Sequence, residues 1–200
     1  MRGSELLDID LQTWLEDLAS RPLPGGVAAA AMAAAMGAAL IVKAGRVTLR
    51  RQAMAEGDQA PILDVVELAD GIRVALPRLA GEDARAYRAY LASGGTTATN
   101  GRVADVAAWA AATETPLRIA ETCQRLLGRL PVLGGSCWPG VCADFEIARW
   151  LLEAGLRAGL LAAETNLPAG GESARAQEFQ SRLADLKRLA PVQPGEEVGP

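Results

Sequence analysis

From Val27 to Val42 no residue carries a polar side chain. The run is Ala-rich, punctuated by Met32, Met36 and Gly37. It is framed by the elbow Arg21-Pro22-Leu23-Pro24-Gly25-Gly26 before it and by Lys43, Arg46, Arg50 and Arg51 after it. A helix apolar on every side must be wrapped by other helices or lie in lipid. The stretch is shorter than the roughly 20 apolar residues that span a bilayer, and alanine is only weakly lipophilic. It is therefore expected to be the buried central helix of a bundle, continuing to about Gln52, with basic residues at the negative end of its dipole.

The flanking patterns are helical too. Leu11, Trp14, Leu15 and Leu18 have helical spacing behind a cap at Asp8 or Asp10. Asp58 and Pro61 open a helix striped by Ile62, Val65, Val66, Ala69, Ile72 and Leu76. Pro77 and Gly81 are expected to kink or interrupt it before it continues through Tyr87 to Leu91. Ser93–Gly101 reads as a loop. Arg102–Ala112 reads as a helix, and Pro116 opens or bends a further stretch to Leu130. Pro131–Gly140 reads as a second irregular loop. A long amphipathic helix, about Val141 to Leu167, follows. One of its faces carries Glu146, Arg149, Glu153, Arg157 and Glu164, spaced for i,i+3 and i,i+4 pairs. Another carries Gly155 and Gly159, whose G-x-x-x-G spacing lets a second helix approach closely, within the bundle or across a dimer interface. A last helix, about Glu172 to Ala190, buries Phe179, Leu183 and Leu186. The fold expected is all-α: a single domain of six or seven helices over residues 1–190, with a disordered acidic tail at 191–200.

Composition narrows the class. Of 200 residues, 50% are hydrophobic but only 4% aromatic, which suits close-packed helices and not strands. The net charge of −4 argues against a nucleic-acid surface. An acidic N-terminus, with Glu5, Asp8 and Asp10, is unlike a signal peptide. Three cysteines, an odd number, point to a reducing compartment. The absence of histidine removes the commonest general base and zinc ligand, so Cys137 and Cys142 make a poor zinc site. Lys43, at the end of the apolar run, is expected to snorkel outward.

Leu23-Pro24-Gly25-Gly26, the Ala-rich helix with Met36-Gly37-Ala38-Ala39-Leu40, and Val47-Thr48-Leu49 before basic residues together resemble the cyclodeaminase/cyclohydrolase family. This family comprises the C-terminal domain of formiminotransferase-cyclodeaminase and the stand-alone methenyltetrahydrofolate cyclohydrolases. The resemblance runs along the whole chain. Asp83-Ala84-Arg85-Ala86-Tyr87 is similar to its Asp-x-x-Ala-Phe segment, and Thr115-Pro116-Leu117 to its Val-Pro-Leu bend. Ala143-Asp144 is similar to its Ser-Asp-x-Gly segment, and Asn166-Leu167 to the end of its Asn-Val-x-x-Asn segment. The chain departs from the pattern at Val27 (a third glycine), Met54 (a tyrosine), Ser93-Gly94-Gly95 (Leu-Pro-Lys) and Glu146 (a glycine).

The resemblance implies a cytoplasmic homodimer acting on a tetrahydrofolate derivative, with no metal and no permanently bound cofactor. Either water opens a methenyl cation or a formimino group closes with loss of ammonia. Both reactions need a proton acceptor and stabilisation of a charged tetrahedral intermediate. Asp83 and Asp144 are the candidate catalytic carboxylates, although a cap for Asp144 and an exposed helical position for Asp83 are the alternative readings. Pro24, Gly25 and Gly26 would let a ligand reach the free N–H groups of a helix N-terminus. Arg46, Arg50 and Arg51 would bind a glutamate tail, or else form a solvated helix end. Trp138 would stack on a pterin or anchor its loop. Tyr87 and Asn166 enter as substrate-binding residues through their motif segments. Two other functions stay open: a relative repurposed for another amine or imine substrate in a specialised pathway, and a non-catalytic scaffold.

Overall fold

The computed structural model describes residues 10–52, 59–94, 105–167 and 173–190. Its elements in chain order are α1 (Leu11–Ser20), α2 (Gly26–Gln52), α3 (Ala60–Ala92), α4 (Val106–Leu127), the short α5 (Leu130–Gly134), a 3₁₀ turn (Pro139–Val141), α6 (Cys142–Thr165) and α7 (Ala174–Leu189). Among the described residues there is no strand. The expected tail at 191–200, Asp58, Met54 and most of the loop after Ser93 lie outside the described residues.

Caps start three of the helices. The Asp10 carboxylate accepts the Thr13 N–H at 3.0 Å, that of Asp105 accepts the Ala107 N–H at 2.8 Å, and the Ser173 hydroxyl accepts the Ala176 N–H at 3.2 Å. Neither proline expected to kink, open or interrupt a helix interrupts one. Pro77 lies inside an uninterrupted α3, and Pro116 inside an uninterrupted α4. Both prolines are buried, so packing on either side holds each helix through the missing hydrogen bond. The expected loop 131–140 is also partly regular, containing α5 and the 3₁₀ turn.

The core is a four-helix arrangement. α2 packs on α3 and α6, α4 packs on α3 and α6, and α7 lies across α4 and α6. Small residues set the spacing. A Cβ at Gly155 would stand 2.7 Å from Ala34 Cβ and 2.8 Å from Cys123 Sγ; one at Gly159 would stand 2.5 Å from the Pro116 carbonyl oxygen. The G-x-x-x-G spacing thus serves contacts within the chain, from α6 to α2 and α4. Because the obstacle at Gly159 is backbone, Gly159→Ala is expected to cost about 1–3 kcal/mol of stability, read as a lower denaturation midpoint in urea. α7 is clamped by charge: the Arg182 guanidinium donates to Glu114 at 2.8 and 2.9 Å and to Glu121 at 2.8 Å, beside the fully buried Phe179 ring.

One expectation about α2 needs correction. It is not buried on all sides. Ala28, Ala31, Ala34, Ala38 and Ile41 are buried, but Met36 is 49% exposed and Ala39 and Lys43 are exposed as well. By length and composition α2 could cross a membrane, yet 44% of its most apolar window is buried against its neighbours. Its remaining face, apolar and solvent-facing, adjoins the outer face of α6.

Candidate active site

The elbow before α2 opens into a cavity of about 450 Å³, a volume typical of small-molecule sites. Pro22, Leu23, Gly25, Gly26 and Val27 form one wall. Asp83 and Tyr87, one turn apart on α3, form the second. The last turns of α6, from Ala158 and Leu161 to Thr165 and Asn166, form the third. The lining is predominantly apolar, with a small set of convergent polar groups.

The elbow contributes backbone. The Leu23–Pro24 peptide is cis, and Pro24 is buried beneath the turn without lining the cavity. The first helical bond here runs from the Ala29 N–H to the Gly25 carbonyl at 3.1 Å. The N–H groups of Gly26, Val27 and Ala28 precede it, so they have no helical acceptor by position and carry the positive end of the α2 dipole. A Cβ at Gly25 or Gly26 would meet nothing within 4 Å, so neither glycine is demanded by packing within the chain. Both leave room at the wall of the cavity.

Asp83 supplies the charge. It is 8% exposed, and burial raises its carboxyl from 3.8 to about 6. Among the described residues lining the cavity there is neither Arg nor Lys to offset this. A carboxylate with such a pKa is mostly ionised at neutral pH yet basic enough to take a proton, which suits a general base. Asn166 is fixed from two directions. Its main-chain oxygen accepts the Trp109 indole N–H at 2.7 Å, and its side-chain Nδ2 donates to the Ala112 carbonyl at 2.9 Å. This anchors one amide N–H on α4 and leaves Oδ1 and the second N–H for a ligand.

The remaining candidates gather elsewhere. Asp144, in the first turn of α6, pairs with Lys43 at 2.7 Å. Arg46 stands 3.9 Å from Asp70. The Trp138 N–H donates to the buried Thr48 hydroxyl at 3.0 Å, and the Arg51 guanidinium lies over the Trp138 ring at 5.4 Å, covering the face a pterin would need. Burial first, with the neighbouring Cys142 thiol, pushes Cys137 up to about 11, so it stays a neutral thiol at neutral pH. Eighteen residues of α2 separate Gly25 from Lys43, about 27 Å at 1.5 Å per residue. Within one chain, then, Gly25, Gly26, Asp83, Tyr87 and Asn166 share a cavity. Asp144, Arg46, Arg50, Arg51 and Trp138 belong to the opposite end of α2.

Sequence reasoning passed over Ala158, Leu161 and Thr165, which look like ordinary positions of an amphipathic helix. It also passed over Trp109, whose indole N–H holds Asn166. The spacing 158, 161, 165 on one face, ending at the Asn166 motif, was the available signal.

Comparison with known proteins adds to this geometry. The family model described as formiminotransferase-cyclodeaminase matches residues 10–185. A methenyltetrahydrofolate cyclohydrolase of Methylorubrum extorquens is 29% identical over 196 residues, covering 94% of this chain and 90% of the relative. A formiminotetrahydrofolate cyclodeaminase of Thermotoga maritima superposes with a TM-score of 0.80 at 19% identity, over 92% of this chain and 91% of that one, a likeness of fold.

Proposed function

From the premise that this chain belongs to the formiminotransferase-cyclodeaminase family, we propose that it is a folate one-carbon enzyme of the cyclohydrolase or cyclodeaminase type. The methenyltetrahydrofolate cyclohydrolase reaction is the one its full-length relative is named for. The observation that carries this reading is the buried Asp83 carboxyl facing an apolar cavity at a helix N-terminus.

The cyclohydrolase reaction starts from a cation, and an ionised Asp83 attracts it electrostatically. Water adds to the methenyl carbon as the Asp83 carboxylate takes its proton, giving a neutral tetrahedral adduct. The same proton returned to the departing ring nitrogen breaks that C–N bond, and the adduct's hydroxyl gives up its own proton, through the Asp83 carboxylate to solvent, as the formyl C=O forms on the other nitrogen. The cyclodeaminase reaction uses the same acceptor and donor with ammonia as the leaving group. In both, the free N–H groups of Gly26 and Val27 suit an oxygen or a carboxylate of the ligand.

The chain is read further as a cytoplasmic homodimer. Support comes from the apolar outer face of α2 and α6, on which Met36 and Trp150 are 49% and 58% exposed. A patch of this kind marks an interaction site.

The assay is direct. Purified protein is mixed with methenyltetrahydrofolate and loss of its near-ultraviolet absorbance is followed; in parallel, formiminotetrahydrofolate is supplied and ammonia is measured. Acceleration of at least one reaction over buffer is expected. No acceleration of either one at saturating substrate overturns the assignment.

A further inference from the structure

The three thiols of the chain divide into one and two. Cys123 is fully buried on α4, with its sulfur 2.8 Å from where a Cβ at Gly155 would stand, and burial pushes it up to about 12. It fills space and stays protonated. Cys137 and Cys142 instead flank the turn that joins α5 to α6, and Cys142 is the first residue of α6.

Their sulfurs converge on one oxygen. The Trp138 carbonyl accepts from the Val141 N–H at 2.9 Å, from the Cys142 thiol at 3.4 Å and from the Cys137 thiol at 3.8 Å. The Cys142 thiol also stands 3.7 Å from the Cys137 carbonyl oxygen, and the two side chains hydrogen-bond each other. The 3₁₀ turn has thus closed the backbone and brought the thiols together before any bond joins them. A disulfide needs that proximity, because two cysteines held apart cannot be bridged without moving the backbone. The turn is anchored from below, where the buried Thr48 hydroxyl accepts the Trp138 N–H at 3.0 Å. It is open from above: both cysteines are half-buried, and Ser136, Trp138, Pro139 and Gly140 are exposed. Among the described residues no third thiol or carboxylate joins the pair to make a metal-binding group, so its donors suit a covalent link better than a metal cage.

We propose that Cys137 and Cys142 form a reversible dithiol–disulfide site, open in a reducing compartment and closed by exchange with a small-molecule disulfide such as glutathione disulfide. One cysteine loses its proton to solvent, and its sulfur attacks the glutathione disulfide. The old S–S bond breaks and one glutathione thiolate leaves. The second cysteine, also deprotonated, attacks the protein sulfur of this mixed disulfide and expels the other glutathione thiolate. Both thiolates take up protons. Two electrons pass from the cysteine pair to the oxidant, which departs as two molecules of glutathione. Only thiolates attack, and Cys137 is held as a neutral thiol, so closure is slow on the scale of thiol exchange. The closed form ties the Trp138 turn, already anchored on α2 through Thr48, to the start of α6.

The full-length chain is equilibrated anaerobically in buffers of graded glutathione to glutathione disulfide ratio, quenched with acid, alkylated and digested with trypsin. Both cysteines fall in the peptide of residues 130–149, and Cys123 falls in another. As the disulfide form of the buffer increases, the 130–149 peptide is expected to escape alkylation and to become lighter by two hydrogens. Dithiothreitol should reverse this, while Cys123 takes the alkylating agent throughout. Helical circular dichroism should not change. In Cys137→Ser and in Cys142→Ser, exchange stops at the mixed disulfide, so the peptide carries bound glutathione or none and never loses the two hydrogens. A wild-type peptide that stays fully alkylated in the most oxidising buffer overturns the proposal. So does a mixed disulfide that the second cysteine fails to displace, a link formed between chains on a non-reducing gel, or closure only after the helices have unfolded.

Discussion

Asp83→Asn is expected to lower kcat/KM by about 10²–10⁴, the usual contribution of a positioned acid–base group, while the protein becomes more stable at alkaline pH. Both effects come from the same burial. The wild-type carboxyl titrates at about 6 and not at 3.8 because its charged form is desolvated. A base works only when deprotonated, so wild-type kcat/KM should rise with pH through about 6 and level off above it. Stability runs the other way. The raised pKa leaves the folded state unpenalised below pH 3.8, and stability is lost as pH rises through about 6. A rise from 3.8 to about 6 corresponds to about 3 kcal/mol at most. Asp83→Asn removes that loss, so its melting temperature should exceed the wild type's at pH 8 and the gain should vanish near pH 4. An unchanged pH–rate profile, or a variant less stable at pH 8, would show that Asp83 is not the buried base.

Gly26→Leu is the second large effect, and it also separates activity from stability. The Cβ points into open space, and Gly26 does not have a positive φ, so a side chain fits the backbone as it stands. The added group occupies part of a cavity of about 450 Å³. Displacing a Leu-sized portion of a bound ligand removes about 1.5–3 kcal/mol of burial, so KM should rise about 10–200-fold. Replacing glycine reduces the freedom of the unfolded chain, which favours the folded state by about 0.4–1 kcal/mol. A weaker-binding protein with an equal or higher melting temperature is therefore expected, measured by substrate titration and thermal denaturation together. A fall in melting temperature with KM unchanged would show that Gly26 serves the fold and not the cavity.

The helical class was legible because it depends on local pattern: Ala-rich runs, few aromatics and caps such as Asp10. That the helices run on without interruption through Pro77 and Pro116 was not, because proline's cost is local while the packing that overrides it is tertiary. Pro116 even turns its carbonyl toward Gly159, where helices of distant sequence meet. One half of the candidate site could be read from motif segments, since Gly25-Gly26, Asp83, Tyr87 and Asn166 do line one space. The pairing of Asp144 with Lys43 could not. Periodicity tells which face of a helix a residue occupies, but not which end of a helix about 40 Å long a later loop will reach. The exposed flank of α2 was hidden for another reason. Alanine and methionine score as apolar whether a neighbour covers them or not, so an all-apolar run looked fully buried.

The joining of α2 to α6 has a consequence for synthesis. The walls of the cavity are contributed at residues 22–27, 83–87 and 158–166, so no N-terminal half of the chain contains it. A nascent chain that has released Gln52 must extend at least to Leu151 before the flank of α2 carrying Gly37 can meet Ala148 and Leu151. At about 5–20 residues per second that wait is about 5–20 s. For that interval the longest apolar run in the protein is covered on one side only. The ribosome-bound chain should therefore depend on chaperones most strongly just before α6 emerges, and ribosome-released fragments ending near residue 140 should aggregate more readily than the full-length protein.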